Sequence, residues 1–181
     1  MQERIEVTTY FLEMRRAPVS EAPACPQDAE VVAAPSISVD EYLALYQGVG
    51  EPWLWYERSE LSKDALAELI EAPGVSIYLL KHKGVTAGFC ELQTTPQQET
   101  QLLYFGLMQP FIGAGLGSYF LEWTVRKSFE SKIERLWVHT CSLDHPRALS
   151  AYEKAGFSQY RKESGWVTIP ESALDKRNRA T

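Results

Sequence analysis

The sequence predicts an α/β (α+β) fold: one domain with a mixed, mostly antiparallel central sheet flanked by helices. Two observations carry this. Two β-branched and aromatic runs, Val75 to His82 and Val85 to Leu92, meet at Lys83-Gly84, the pattern of a tight hairpin in mid-chain. Strand and helix patterns then alternate: a strand over Thr100 to Met108, a helix over 116–129, a strand over Ile133 to Cys141, and a helix ending at Ala155-Gly156.

The elements follow in order. Arg4 to Met14 is rich in β-formers and reads as a strand. Residues 15–36 hold four prolines, which lack a donor and fix their own φ, so an irregular loop is expected. Asp40 to Gln47 reads as a helix stopped by Gly48 and Gly50. Pro52-Trp53-Leu54-Trp55-Tyr56 is a short aromatic stretch, and Ser62 can cap a helix over 63–71. Leu121, Val125 and Phe129 line one side of the 116–129 helix. Pro146 suits a first helical turn. Phe157 to Arg161 and Trp166 to Ile169 read as two closing strands, and 171–181 as a polar tail that frays.

Composition narrows the function. The chain has 181 residues, 45% apolar and 23% charged, which suits one globular domain of about 1–170. No apolar run approaches the roughly 20 residues of a membrane span. The segment MQERIEVTTYFLEM is charged where a signal peptide needs an apolar core, so the cytoplasm is the expected location. Cys25, Cys90 and Cys141 are far apart with no C-x-x-C pair, so neither a disulfide framework nor a structural metal is expected. The net charge of −6 is uneven: −9 over residues 1–80 and +3 over 81–181. A nucleic-acid partner would need a basic footprint that this chain does not have.

Gly113-Ala114-Gly115-Leu116-Gly117 lies between a strand and a helix. A helix N-terminus offers free N–H groups and a partial positive charge, and glycines let that backbone approach a phosphate. The dinucleotide fingerprint fails because Ser118 stands where its last glycine would be, and the P-loop fails because no lysine follows Gly117. A strand, G-x-G-x-G and an amphipathic helix remain. Upstream runs Gln101-Leu102-Leu103-Tyr104-Phe105-Gly106-Leu107-Met108. Downstream runs Leu136-Trp137-Val138-His139-Thr140, and then Ala148, Tyr152, Gly156 and Phe157 in an A-x-x-x-Y-x-x-x-G-F pattern. Over roughly residues 75–160 this combination resembles the GNAT superfamily of acetyl-CoA-dependent N-acetyltransferases.

The resemblance implies direct transfer of acetyl from acetyl-CoA to a primary amine, with no metal. It implies that Gly113 to Ser118, including Ala114, Leu116 and Gly117, hold the pyrophosphate. Leu107 and Met108 would pair with the pantetheine arm, and Tyr152 would protonate the departing thiolate. Two positions depart from the family pattern. Ile112 stands where Arg or Gln is usual before the turn. His145 replaces an Asn three residues before the helix alanine and can donate a hydrogen bond in its place. The resemblance does not reach the residues before 60. Homodimers are frequent in the family and are an open expectation here.

Chemistry on the residues themselves names the rest. An alkylammonium must lose a proton before it attacks, so a base is required. Glu91 is a carboxylate inside an apolar strand, uncommon unless it faces a cleft or is paired. It ranks ahead of His139, whose imidazole titrates near neutrality. Glu91 and Cys90 point to opposite faces, so only one can meet a cleft. Tyr104 can position substrate or pass a proton. Trp53, Trp55 and Tyr56 offer an apolar wall for a small-molecule or peptide amine acceptor, and the surrounding Glu51, Glu57 and Glu60 would attract its charge. Residues 1–72 would thus supply the acceptor side and 75–160 the CoA side. Two rivals stand beside this reading. One is an acyl-enzyme route through Cys141 and His139, which share a strand face. The other is a non-catalytic acyl-CoA-binding or sensing module of the same fold.

Overall fold

The computed structural model of the chain describes residues 3–180. A seven-stranded sheet runs through it, built from β1 (Glu3–Met14), β2 (Ala29–Ala33), β3 (Val75–His82), β4 (Val85–Thr94), β5 (Glu99–Leu107), β6 (Arg135–Cys141) and β7 (Ser158–Ile169). The spatial order is β2-β3-β4-β5-β6-β1-β7. Every pairing is antiparallel except β5 with β6. The helices are α1 (Val39–Gly50), α2 (Lys63–Ile70), α3 (Leu116–Glu130), α4 (Ala148–Lys154) and α5 (Glu171–Ala180). The mixed, mostly antiparallel sheet expected from sequence is present. No helix among the described residues is long and apolar enough to cross a membrane.

Local chemistry explains the element ends. Ser38 Oγ accepts from Glu41 N, and the Glu41 carboxylate accepts from Ser38 N, a complete capping box on α1. Ser62 Oγ accepts from Ala65 N at 3.2 Å and starts α2. The β3–β4 turn puts both Lys83 and Gly84 at positive φ, the conformation of a two-residue hairpin turn.

Four expectations are corrected. The proline-rich loop contains β2, a short edge strand paired with β3. Pro26 and Pro35 bracket it without entering its ladder, so the prolines do not break it. Helix α1 does not stop at Gly48 but runs to Gly50, and neighbours fill the space that a side chain at either glycine would take. A Cβ on Gly48 would lie 2.6 Å from Met108 Sδ, and one on Gly50 would overlap the Trp55 ring. The two closing strands are one, β7, paired with β1 from Glu3 to Glu13 across a register shift between Phe11 and Leu12. The tail up to Ala180 is a helix, α5, which buries Ala173 against Leu54 and Ile169. Its few apolar residues were outvoted by its charges in the sequence pattern; Thr181 lies outside the described residues.

The sheet separates two cores. Leu12, Ala87, Cys90, Leu102, Phe120, Val125, Leu136 and Tyr152 pack on the α3 side. Tyr42, Tyr46, Leu66, Ile77 and Phe89 pack on the α1–α2 side. The period-2 alternation of β4 sends Phe89 and Cys90 to different cores. Each fully buried large apolar side chain contributes about 1.5–3 kcal/mol.

Candidate active site

The site begins where the sheet splits. β5 pairs with β6 only over Glu99–Gln101 against Arg135–Trp137. Just beyond, the β4–β5 register shifts: Glu91 faces Tyr104 and Leu92 faces Leu102, which leaves Leu103 unopposed. A bulge of this kind bends its strand. Past it, β5 and β6 no longer pair, and a cleft of about 800 Å³ opens between them. Residues from Leu102 to Leu107 line one wall and Val138 to Cys141 the other.

One part of the cleft has a geometry that can receive an anion. Gly113 (φ +91°) and Gly115 (φ +79°) hold left-handed conformations, and a Cβ on either would meet nothing within 4 Å. The glycines therefore serve backbone conformation and open space, not tight packing. Gly115 caps α3, and no side chain fills the capping role. Ser118 Oγ turns back to the Gly115 carbonyl at 2.9 Å. The first N–H groups of a 15-residue helix thus face the cleft with the positive end of its dipole. Arg147 and Lys154 also line the cleft. They are seven residues apart, and that helical spacing is the signal that would have found them in the sequence.

The expected ligand-binding residues are mostly here. Leu107, Ile112, Gly113, Gly115, Gly117, Ser118, His145 and Tyr152 line the cleft. Ala114 belongs to the same turn without lining the cleft, and Leu116 is buried as the first residue of α3. Met108 turns away: its N–H donates to the Ala87 carbonyl at 2.8 Å, and its side chain packs against α1. The unpaired strand edge is Leu102 to Leu107, slightly earlier than the sequence reading placed it.

The other part is aromatic and acidic. Trp53, Trp55, Tyr56 and Tyr104 all line it, as does Glu57. Between the two tryptophans, Leu54 adopts a left-handed conformation (φ 60°, ψ 37°) with its side chain buried on Ile169 and Ala173. Trp55 Nε1 donates to Asp144 Oδ1 at 3.3 Å, and the Trp53 ring meets His145 edge-on at 5.0 Å. Asp144 Oδ2 accepts from Thr140 Oγ1 at 2.7 Å and from Cys141 N at 2.8 Å. Asp144 therefore ties the aromatic segment to the end of β6.

Glu91 does not join them. It is fully buried beneath the cleft, where it accepts from Arg58 Nη2 at 2.8 Å and from the Tyr42 hydroxyl. Burial raises its pKa, opposed by Arg58 and then Tyr42. Neither Glu91 nor Cys90 faces the cleft, because this stretch of β4 is covered on both sides. Arg58 was not singled out in the sequence, although it is the only basic residue between Arg16 and Lys63.

His139 does line the cleft. Its rim is open to solvent, yet the cleft walls surround the ring. That desolvation lowers its pKa from the usual 6.5, opposed by Asp144 and Glu57, so the neutral ring prevails at neutral pH. Gln101 Nε2 lies 3.4 Å from His139 Nδ1, so the amide N–H donates to that ring nitrogen and the proton of the neutral ring sits on Nε2. Cys141 shares the strand face with His139, but burial and then Asp144 push its thiol up to about 11. The Tyr152 hydroxyl sits in the cleft wall with its ring against Phe157, and burial holds it firmly protonated. Among the described residues, no group of three or more His, Cys, Asp or Glu could hold a metal ion.

Residues 40–157 match the model of the acetyltransferase (GNAT) family, and the chain belongs to that family. Solved structures agree on the fold. A GCN5-related N-acetyltransferase from Sphaerobacter thermophilus superposes with a TM-score of 0.65 at 14% identity, over 90% of this chain and 50% of that one. The ribosomal-protein-S18-alanine N-acetyltransferase from Escherichia coli gives 0.59 at 15% identity, over 78% of this chain and 94% of that one. An acetyltransferase from Bacillus subtilis solved in complex with CoA gives 0.56 at 18% identity, over 72% and 76%. This chain spans only half the length of the Sphaerobacter protein. No curated protein matches it in sequence.

Proposed function

We propose that the protein transfers the acetyl group of acetyl-CoA directly to a primary amine, with both substrates bound together. The observation that carries this reading is the split between β5 and β6, which has an uncapped glycine-rich helix start on one side and an aromatic, acidic wall on the other. The cleft fits CoA chemically. Backbone N–H groups at Gly115 to Ser118 suit the diphosphate, and the free edge of β5 offers a ladder for the amide-bearing arm. Arg147 and Lys154 add positive charge.

The chain's own residues then divide the work. Trp53, Trp55, Tyr56 and Tyr104 enclose the amine, and Glu57 holds its ammonium form. His139, neutral at neutral pH and lining the cleft, accepts the proton that frees the nitrogen lone pair. The nitrogen bonds to the thioester carbon, the carbon–sulfur bond breaks, and the sulfur takes a proton from Tyr152. The second amine proton leaves to solvent, which also reprotonates Tyr152. Buried away from the cleft, Glu91 supports this arrangement from below and does not act as the base.

Calorimetry with acetyl-CoA and a thiol-release assay over an amine panel test this reading. Tyr152→Phe should cut kcat by about tenfold or more while acetyl-CoA affinity stays within a few-fold. Gly115→Val should weaken that affinity. Binding without turnover of any amine would favour the sensing module, and normal affinity in Gly115→Val would move the phosphate site elsewhere.

A further inference from the structure

We infer that the acceptor is a monocationic amine on a flat apolar body, of the 2-arylethylamine kind; this rests on the acetyl-transfer reading above. Two features of the acceptor wall carry it. The first is charge. Two carboxylates reach this part of the cleft, Glu57 and Asp144. Asp144 is already committed: Thr140 and Cys141 N occupy Oδ2, and Trp55 occupies Oδ1. Glu57 is exposed and takes one bond, from the Tyr46 hydroxyl to Oε2 at 3.0 Å. Glu57 is therefore the carboxylate of this wall most open to a direct ion pair with one ammonium.

The second feature is shape. The Trp55 and Tyr104 ring centroids are 5.1 Å apart at 57°, a corner of two aromatic faces. Tyr46 stands against both, at 5.5 Å and 5.1 Å, and keeps the rings from turning. Val167 and Ile169 from the end of β7 continue the apolar surface. Such a corner gains from stacking on a flat ring, and it offers a peptide backbone few hydrogen-bonding partners.

The test uses the full chain with acetyl-CoA and four probes: 2-phenylethylamine, hexylamine, spermidine and a tetrapeptide with a free N-terminus. The kcat/KM for 2-phenylethylamine should exceed each of the others by about tenfold, the order expected from one aromatic corner and one ion pair. Glu57→Gln, an exposed and isosteric change, should raise KM for 2-phenylethylamine by about two- to fivefold and leave acetyl-CoA affinity unchanged. Preference for spermidine or the peptide, parity with hexylamine, or an unchanged KM in Glu57→Gln overturns the inference and leaves acetyl transfer standing. Absence of acetyl-CoA binding in calorimetry, or binding with no amine turned over, removes the acetyl-transfer reading and this inference with it.

Discussion

Arg58 Nη2 lies 2.8 Å from Glu91 Oε1; the Glu91 side chain is closed off from water and that of Arg58 is 10% exposed. A carboxylate in an apolar strand is either aimed at a cleft or paired, and here it is paired. Arg58 also stands over the Tyr104 ring, its guanidinium carbon 5.4 Å from the centroid. The ion pair thus lies against the aromatic wall of the cleft.

Removing one partner should be far worse for stability than removing both. Glu91→Ala strands a buried guanidinium and should cost about 3–5 kcal/mol. Arg58 Nη1 already has no hydrogen-bond partner, which leaves Arg58 its contacts with Tyr104 and Tyr42 in place of a counter-ion. The double change Glu91→Leu with Arg58→Met should recover much of that loss. Urea unfolding measures both. In the same series, kcat per folded molecule of Glu91→Gln should stay within a few-fold of the parent. A drop of 100-fold or more would restore Glu91 as the base.

If His139 is the base, as proposed, it should set the acidic side of the pH–rate profile. Its folded pKa is lowered below 6.5 by desolvation, so the ring stays neutral and able to accept a proton until the pH falls through that lowered value. The acid limb of kcat/KM should therefore lie below pH 6.5, and His139→Gln should abolish it. Stability follows the same sign: the folded state binds the proton less readily than the unfolded chain, so this residue lowers stability as the pH falls below about 6.5. An acid limb that survives in His139→Gln would assign the base elsewhere.

Cys141 should be dispensable. Its thiol is pushed up to about 11, so almost no thiolate exists at neutral pH, and Asp144 accepts from its backbone N–H, not from its sulfur. Cys141→Ser is expected to keep kcat/KM within about threefold, and mass spectrometry of the parent mixed with acetyl-CoA should show no acetylated protein. Near-complete loss of activity with a trapped acetyl adduct would establish the acyl-enzyme route.

Much of this architecture could be read from the sequence because it rests on local signals. The Lys83-Gly84 turn, the Ser62 cap and the glycine run before α3 each depend on a few adjacent residues, and each is found where the pattern puts it. What escaped depends on distant partners. β2 needs β3 to be a strand, α5 needs Leu54 and Ile169 to cover Ala173, and Gly48 leaves room inside α1 for Met108, 60 residues away. The site divides in the same way. Tyr152 and the glycines sit in contiguous motifs, whereas the identity of Glu91's partner and the freedom of Glu57 are set by which helix lands on which strand.

Leu54 joins the C-terminal helix to the acceptor wall, and its backbone makes the link measurable. A leucine held at φ 60° costs about 1–2 kcal/mol, while burying its side chain on Ile169 and Ala173 returns about 1.5–3 kcal/mol. Leu54→Ala keeps the strain and loses the burial, whereas Leu54→Gly loses both. Glycine should therefore be the more stable replacement by about 1 kcal/mol, the reverse of the order in ordinary helix or strand positions. Urea unfolding of the two variants checks the sign, and alanine ahead of glycine would refute the left-handed backbone. Ending the chain after Pro170 removes Ala173 and leaves Leu54 half uncovered. Trp53 and Trp55, its two neighbours, should then lose their fixed places against His145 and Asp144. The acceptor KM should rise by about tenfold while acetyl-CoA affinity stays unchanged, because the glycine turn lies outside the α5 contacts. Equal losses for both substrates would show that α5 stabilises the whole domain and does not shape the acceptor wall.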